Sequence, residues 1–305
     1  MLSVLGQMAA LIACGVLWRL ARPMGLEADQ TRQAVTGLVF ILLLPALVLL
    51  VLWRAPLGAS SIWVAAIAAI CVLAAIAVSS FIYQRWGVSR KITGTLVLAA
   101  AWPNATYLGL PVLEQTLGTW ARSVAIHYDL FACTPLLLTV GVMLARHYGE
   151  QGEDDEHPLV ALLKVPPLWA AIIGVALNLA AVPIPVWVEG FLEKIAPSVG
   201  PLMLIALGMG LRWDTLKSRQ VLLLWPVLVI QLLAMPLLAM GIASAGDLEP
   251  RLVAAITLEA AMPSMVLGVV LCDRYQLDSA LYASAVTLST VLSLLTLPIW
   301  LQLLV

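Results

Sequence analysis

The sequence predicts an all-α polytopic membrane protein: ten transmembrane helices in a five-plus-five inverted repeat, with spans four and nine broken. Three observations carry this expectation. Hydrophobic residues make up 62% of the 305 positions and charged residues only 11%, where a soluble domain carries about 25% charged. The apolar residues gather into runs near the roughly 20 residues a helix needs to cross the hydrocarbon core. Two of these runs each hold a proline well inside, at corresponding places in the two halves of the chain.

Water is absent from the bilayer core, so each backbone N–H and C=O must find a partner within the protein. The runs lack the period-2 alternation of barrel strands and are therefore helices. In order they are 3–20, 33–53, 61–84, 91–117, 122–146, 165–182, 192–212, 220–243, 250–273 and 279–303, with ends placed to within about three residues. The first is expected to be a retained helix and not a cleavable leader, because Arg19 and Arg22 follow its apolar run instead of preceding it. Cys14, Cys71, Cys133 and Cys272 fall in different spans with no CxxC pair, which reads as small buried residues and not as a disulfide or metal set. Trp53, Trp63, Trp120, Trp187 and Trp300 fall near span ends, where an interfacial belt would put them.

Loop charge sets the expected orientation. Twelve of the sixteen Lys and Arg residues lie in odd-numbered loops; cytoplasmic loops are enriched in these residues, so both termini should face away from the cytoplasm. The polar stretch from His147 to His157, with Glu153, Asp154, Asp155 and Glu156, reads as a cytoplasmic connector. The chain then divides into a first five-helix repeat (1–146), a connector (147–164) and a second repeat (165–305) that starts from the opposite membrane face. Setting Pro103 against Pro263 aligns TLVLAAAWPN with AITLEAAMPS, and Leu98, Ala100, Ala101 and Pro103 meet identical partners.

A proline inside a helix removes a donor and crowds the preceding turn, so spans four and nine should be unwound there. Asn104, Thr106, Gly109 and Pro111 disrupt span four further, and Ser264 and Gly268 disrupt span nine. Paired interruptions in inverted halves point to a transporter's binding site; packing kinks are the alternative. Each second half-helix would begin with free N–H groups suited to an anion. With no Lys or Arg placed deep in a span, such an anion would rely on these ends and on Asn104, Thr106, Tyr107 and Ser264, beside Pro103, Met262 and Pro263, with Trp102 available to pack against it.

Intramembrane acids are functional candidates. Asp129 and Glu259 could hold Na⁺ or carry a coupling proton, or be hydrogen-bonded between helices, while Glu114 reads as a rim residue. His127 reads as a packing or hydrogen-bonding residue, and Pro45 and Pro201 as kinks. No other cofactor or metal is expected. A net charge of −1 offers no basic surface for nucleic acid, and no GxxxxGK run marks an ATP site.

The runs NATYLGLP (104–111), PLMLIALGMGL (201–211), PSMVLGVVLCDRYQLD (263–278) and LSTVLSLLTLP (288–298) resemble the auxin efflux carrier family, which includes plant auxin exporters and bacterial malate- and malonate-type permeases. The resemblance spans nearly the whole chain. It implies a crossover of spans four and nine at Pro103 and Pro263 and a carboxylate substrate near Asn104. It also implies export or exchange of small organic anions by elevator-type alternating access, a scaffold of helices 1, 2, 6 and 7, moving helices 3–5 and 8–10, and a homodimer. Thr106 stands where the family commonly has Gly, which bears on pocket shape. The short connector is similar to bacterial members, implying the bacterial inner membrane. The competing readings are a sodium-coupled symporter of the bile-acid type, an ion channel, and an intramembrane receptor or enzyme. The last is disfavoured by the lack of HExxH or GxSxG motifs.

Overall fold

A computed structural model describes residues 2–55, 58–149, 160, 163–212 and 218–304. The acidic run Glu153, Asp154, Asp155 and Glu156 and the loop residue Lys217 lie outside the described residues. Among the described residues the chain is helical, with no strand and a single isolated antiparallel bridge. The helices are α1 (Leu2–Ala21), α2 (Ala28–Arg54), α3 (Ala59–Arg85), α4 (Arg90–Ala101), α5 (Leu110–Leu117) and α6 (Ala121–Tyr148). After the connector come α7 (Pro166–Leu179), α8 (Val186–Gly210), α9 (Leu222–Ala245), α10 (Pro250–Ala260), α11 (Gly268–Arg274) and α12 (Ser279–Leu304). Six of them, α2, α3, α6, α8, α9 and α12, are long and apolar enough to cross a membrane.

Two helices start well before the apolar runs do. The expected starts were 33 and 192, but α2 begins at Ala28 and α8 at Val186. The added turns are ADQTR, whose polar residues hydropathy alone does not register, and VWVEGF, where Glu189 and Gly190 interrupt an otherwise apolar start.

Four prolines act through π turns. Val39–Leu43, Ala105–Gly109, Asp129–Cys133 and Ile230–Ala234 are each followed, after one residue, by Pro45, Pro111, Pro135 or Pro236. In every case the residue just before the proline donates to a carbonyl five residues back, as Leu44 does to Val39. Proline crowds the carbonyl four residues earlier, and widening the ladder by one residue relieves that crowding without breaking the helix. Pro201 differs: it lies just past a 3₁₀ turn, Ala196–Ser198.

The closest packing pairs are α1 with the C-terminal half of α8, and α7 with the second half of α2, followed by α3 on α4 and α9 on α10. In lipid, small residues let helix backbones approach without side chains between them. Gly15 and Gly208 do this for α1 and α8: a Cβ at Gly15 would run into the backbone of Ile205 and Met209, and one at Gly208 into the Ile12 carbonyl. Two expectations about side chains are corrected. Trp300 is buried, with its indole N–H donating to the Leu232 carbonyl at 2.9 Å, so it anchors α12 to α9 and does not belong to an interfacial belt. Cys14 is exposed, whereas Cys71, Cys133 and Cys272 are buried; all four are free thiols.

Candidate functional site

Helical geometry stops at Trp102–Asn104 after α4 and at Ala261–Leu267 after α10. The two breaks meet. Asn104 N donates to the Pro263 carbonyl (2.7 Å) and Met265 N to the Trp102 carbonyl (2.9 Å), with Pro103 and Ser264 forming the antiparallel bridge. Unpaired backbone groups are costly away from water, and here each break supplies partners for the other. The crossing is held further by Ser264 N to Ser289 Oγ (3.1 Å), by Tyr282 Oη to the Met265 carbonyl (2.9 Å), and by Leu108 N and Gly109 N, which both donate to the Asn104 carbonyl.

A cavity of about 110 Å³ lies beside this crossing, between α2, α6, the start of α7 and the two breaks. Of the eight residues assigned to substrate binding from sequence, Asn104, Thr106 and Tyr107 line it. Pro103, Met262, Pro263 and Ser264 lie outside the cavity lining, with Met262 and Ser264 fully buried. Trp102 is also outside it: its N–H donates to the Cys133 carbonyl at 3.1 Å and its ring packs over Gly141, tying α4's end to α6. The lining also includes Phe40 and Leu44 of α2, Thr134 of α6, Pro167 of α7 and Val266. Thr134 could have been found as a hydroxyl one turn beyond Asp129; the apolar contributors look like any other residue of a span.

The polar groups at the crossing are unevenly satisfied. Asp129 lines the cavity and accepts hydrogen bonds from Thr106 Oγ1 and from Thr134 Oγ1 (3.1 Å), so its carboxylate is held by α6's own π turn and by the break. Asn104 Nδ2 and Ser264 Oγ are buried with no hydrogen-bond partner among the described residues. Glu259 is not part of the cavity. It is fully buried on α10, with neither carboxyl oxygen partnered among the described residues, and packs directly on Gly109, where a Cβ would overlap the carboxyl group. His127 is buried against the Phe131 ring (centroids 5.2 Å apart). Glu114 pairs with Arg122 near the far end of α5, apart from the cavity, as a rim residue would.

A family profile described as membrane transport protein matches residues 4–301. The chain belongs to this membrane transport family, that of the auxin efflux carriers. An uncharacterized transporter of Methanothermobacter thermautotrophicus is 30% identical to this family member over 290 residues, covering 93% of each chain. An uncharacterized transporter of Methanocaldococcus jannaschii is 26% identical over 212 residues, 68% of this chain and 67% of the relative. This transport protein is therefore a multi-pass membrane protein.

Proposed function

We propose that this transporter is a secondary carrier of small organic anions, carboxylates such as malate, malonate or auxin-like acids, that works by elevator-type alternating access and is not an enzyme. The observation that carries the reading is the buried Asn104 amide, a donor without a partner among the described residues, at a small cavity shared with Ala105, Thr106 and Tyr107. Those three residues open the second half of a broken helix, whose first turn carries unpaired N–H groups and partial positive charge. An anion is the ligand that satisfies both.

In this reading α4 with α5 and α10 with α11 are spans four and nine of ten, in two inverted halves. Packing supports the repeat. Exchanging spans 1 with 6, 2 with 7, 3 with 8, 4 with 9 and 5 with 10 converts the α1–α8 contact into α7–α2, α3–α4 into α9–α10, and α4–α12 into α10–α6. Gly87 and Asp247, both with left-handed backbone, end α3 and α9 at the same sequence spacing as Pro103 and Pro263. The next residue in each turn donates five residues back, Val88 to Tyr83 and Leu248 to Ala243, both at 3.3 Å.

Polar contacts support a scaffold of spans 1, 2, 6 and 7 and a moving group of spans 3–5 and 8–10. Inside the first group Asn178 Nδ2 donates to the Trp53 carbonyl (2.8 Å) and Arg54 pairs with Glu189 and Glu193. Inside the second, Tyr83 donates to the Leu223 carbonyl (2.7 Å) and Asp278 N to Thr95 Oγ1 (3.0 Å). A bond joining the groups, Arg212 N to Thr287 Oγ1 at 3.0 Å, lies where the chain leaves the scaffold. A homodimer in the inner membrane, with both termini extracytoplasmic, completes the proposal.

The test is thermal stabilisation of purified protein by a panel of mono- and dicarboxylates, with wild type beside Asn104→Ala, in Na⁺ and in choline buffer. One acid should stabilise the wild type and lose its effect in the variant; no response from any acid would overturn the organic-anion assignment. A second reading, a sodium-coupled symporter of the bile-acid type, draws on the unpartnered Glu259 carboxyl group. It requires that stabilisation and uptake depend on Na⁺ and that Glu259→Gln abolish that dependence.

A further inference from the structure

Arg32 precedes the apolar run that begins at residue 33, but α2 starts at Ala28 and takes Arg32 into its opening turns, where the side chain is only 25% exposed. Arg32 is not among the residues that line the crossover cavity, but two neighbours place it beside that lining. Arg32 and Val266 flank Gly210: a Cβ there would lie 3.5 Å from Arg32 Cδ and 4.0 Å from Val266 Cγ1, and Val266 lines the crossover cavity. Tyr107, another lining residue, is within electrostatic reach of the same guanidinium.

Arg32 is also incompletely paired. Asp29 is held by Arg19 and by Arg212 (3.0 Å), which leaves its carboxylate 3.9 Å from Arg32 Nε. That Nε is buried and has no hydrogen-bond partner among the described residues. One carboxylate shared among three guanidinium groups leaves an excess of positive charge around Arg32, and a partly buried excess charge favours a ligand carrying negative charge.

The opposite end of the same helix makes the contrast. A second cleft, about 340 Å³, is lined by Leu50, Val51 and Arg54 of α2 with Arg122 and Arg251. Each of these arginines already has its own carboxylate: Arg54 has Glu189 and Glu193, Arg122 has Glu114, and Arg251 has Glu249 (2.8 Å) while its guanidinium also covers the Trp120 ring. An open Nε does not set Arg32 apart, since Arg122 Nε is also buried without a hydrogen-bond partner among the described residues; what does is a carboxylate neighbour already committed to two other arginines, in a position beside the crossover cavity.

We propose that Arg32 binds the carboxylate of the transported anion at the mouth of the crossover cavity, its planar fork taking the group that Asn104 and the half-helix end then receive. The proposal rests on the organic-anion reading above and names the cation of that site. Guanidinium and carboxylate geometries match for paired hydrogen bonds.

The experiment measures the affinity of purified wild type, Asn104→Ala, Arg32→Gln, Arg32→Lys and Arg22→Gln for the acid that best stabilises the wild type. Arg22 is the control, an exposed arginine in the turn before α2, paired with Glu27 at 3.3 Å. Arg32→Gln should weaken binding about tenfold to a hundredfold, Arg32→Lys should retain part of the affinity, and Arg22→Gln should bind as wild type. If Arg32→Gln does not purify as a monodisperse protein, Arg32→Lys decides: its affinity should fall below that of Arg22→Gln. Wild-type affinity in Arg32→Gln together with a loss in Asn104→Ala overturns the role of Arg32 and leaves the anion site standing. Equal losses in Arg32→Gln and Arg22→Gln reduce the effect to surface charge and overturn it too. Binding of no carboxylate by the wild type removes both readings.

Discussion

Gly109 shows how little room the crossing leaves. The Glu259 carboxyl group occupies the space a side chain would need there, so Gly109→Ala should destabilise the protein by about 1–3 kcal/mol, the usual range for overpacking. Combining it with Glu259→Ala should recover most of the loss, while Glu259→Gln, which keeps the volume, should not; melting temperatures of the purified variants check this. The sequence marked Gly109 only as one of several helix-disrupting residues and Glu259 only as an acid in the membrane. Their contact joins the two halves of the chain, and residue spacing along either span carries no trace of it. Asn104, Thr106 and Asp129 were legible as polar residues in apolar runs. Trp102 was not legible in the same way, because a tryptophan beside a break can point to either side; its bond to the Cys133 carbonyl turns it toward α6, outside the cavity lining.

Six of the prolines mark two different events in these helices. Pro103 and Pro263 sit in breaks that pair with each other, whereas Pro45, Pro111, Pro135 and Pro236 each follow a π turn that lets a helix continue. The residue type is the same, and the outcome depends on whether a partner chain is at hand for the freed backbone groups. Glycine gives a cleaner forecast at this scale. Gly15→Val should push α1 off α8 and lower the melting temperature by several degrees, corresponding to about 1–3 kcal/mol, because the backbone of α8 cannot yield. Gly37→Ala in α2, where no atom lies within 4 Å of the added Cβ, should be neutral or slightly stabilising, since alanine favours the helix by up to about 1 kcal/mol. Equal melting temperatures for Gly15→Val and wild type would contradict the close approach of these two helices.

At the scale of the molecule, the crossover cavity and the arginine-rich cleft both open against α2, at Phe40 and Leu44 and then at Leu50, Val51 and Arg54. They therefore lie along one seam between the proposed scaffold and the proposed moving group. Motion of one group along the other would carry the cavity from one membrane face toward the other. A bifunctional thiol reagent joining Val51→Cys to Ser123→Cys, in a Cys14→Ser background to remove the exposed thiol, should stop transport in proteoliposomes. A cleavable linker should restore it on reduction. Undiminished transport by the cross-linked protein would exclude relative motion of these groups.

The membrane location, the helical class, the family and the two proline breaks were determined by the sequence itself, because a bilayer leaves apolar length and backbone satisfaction as the dominant constraints, and both are local properties of the chain. Which breaks pair, which polar atoms are left open and which side of each helix meets the cavity depend on contacts between residues far apart in the chain, such as Asn104 with Pro263 and Gly109 with Glu259. Arg32 is the sharpest instance. Its charge is plain in the sequence, but only tertiary packing commits Asp29 to Arg19 and Arg212 and turns a loop cation into an open donor beside the cavity.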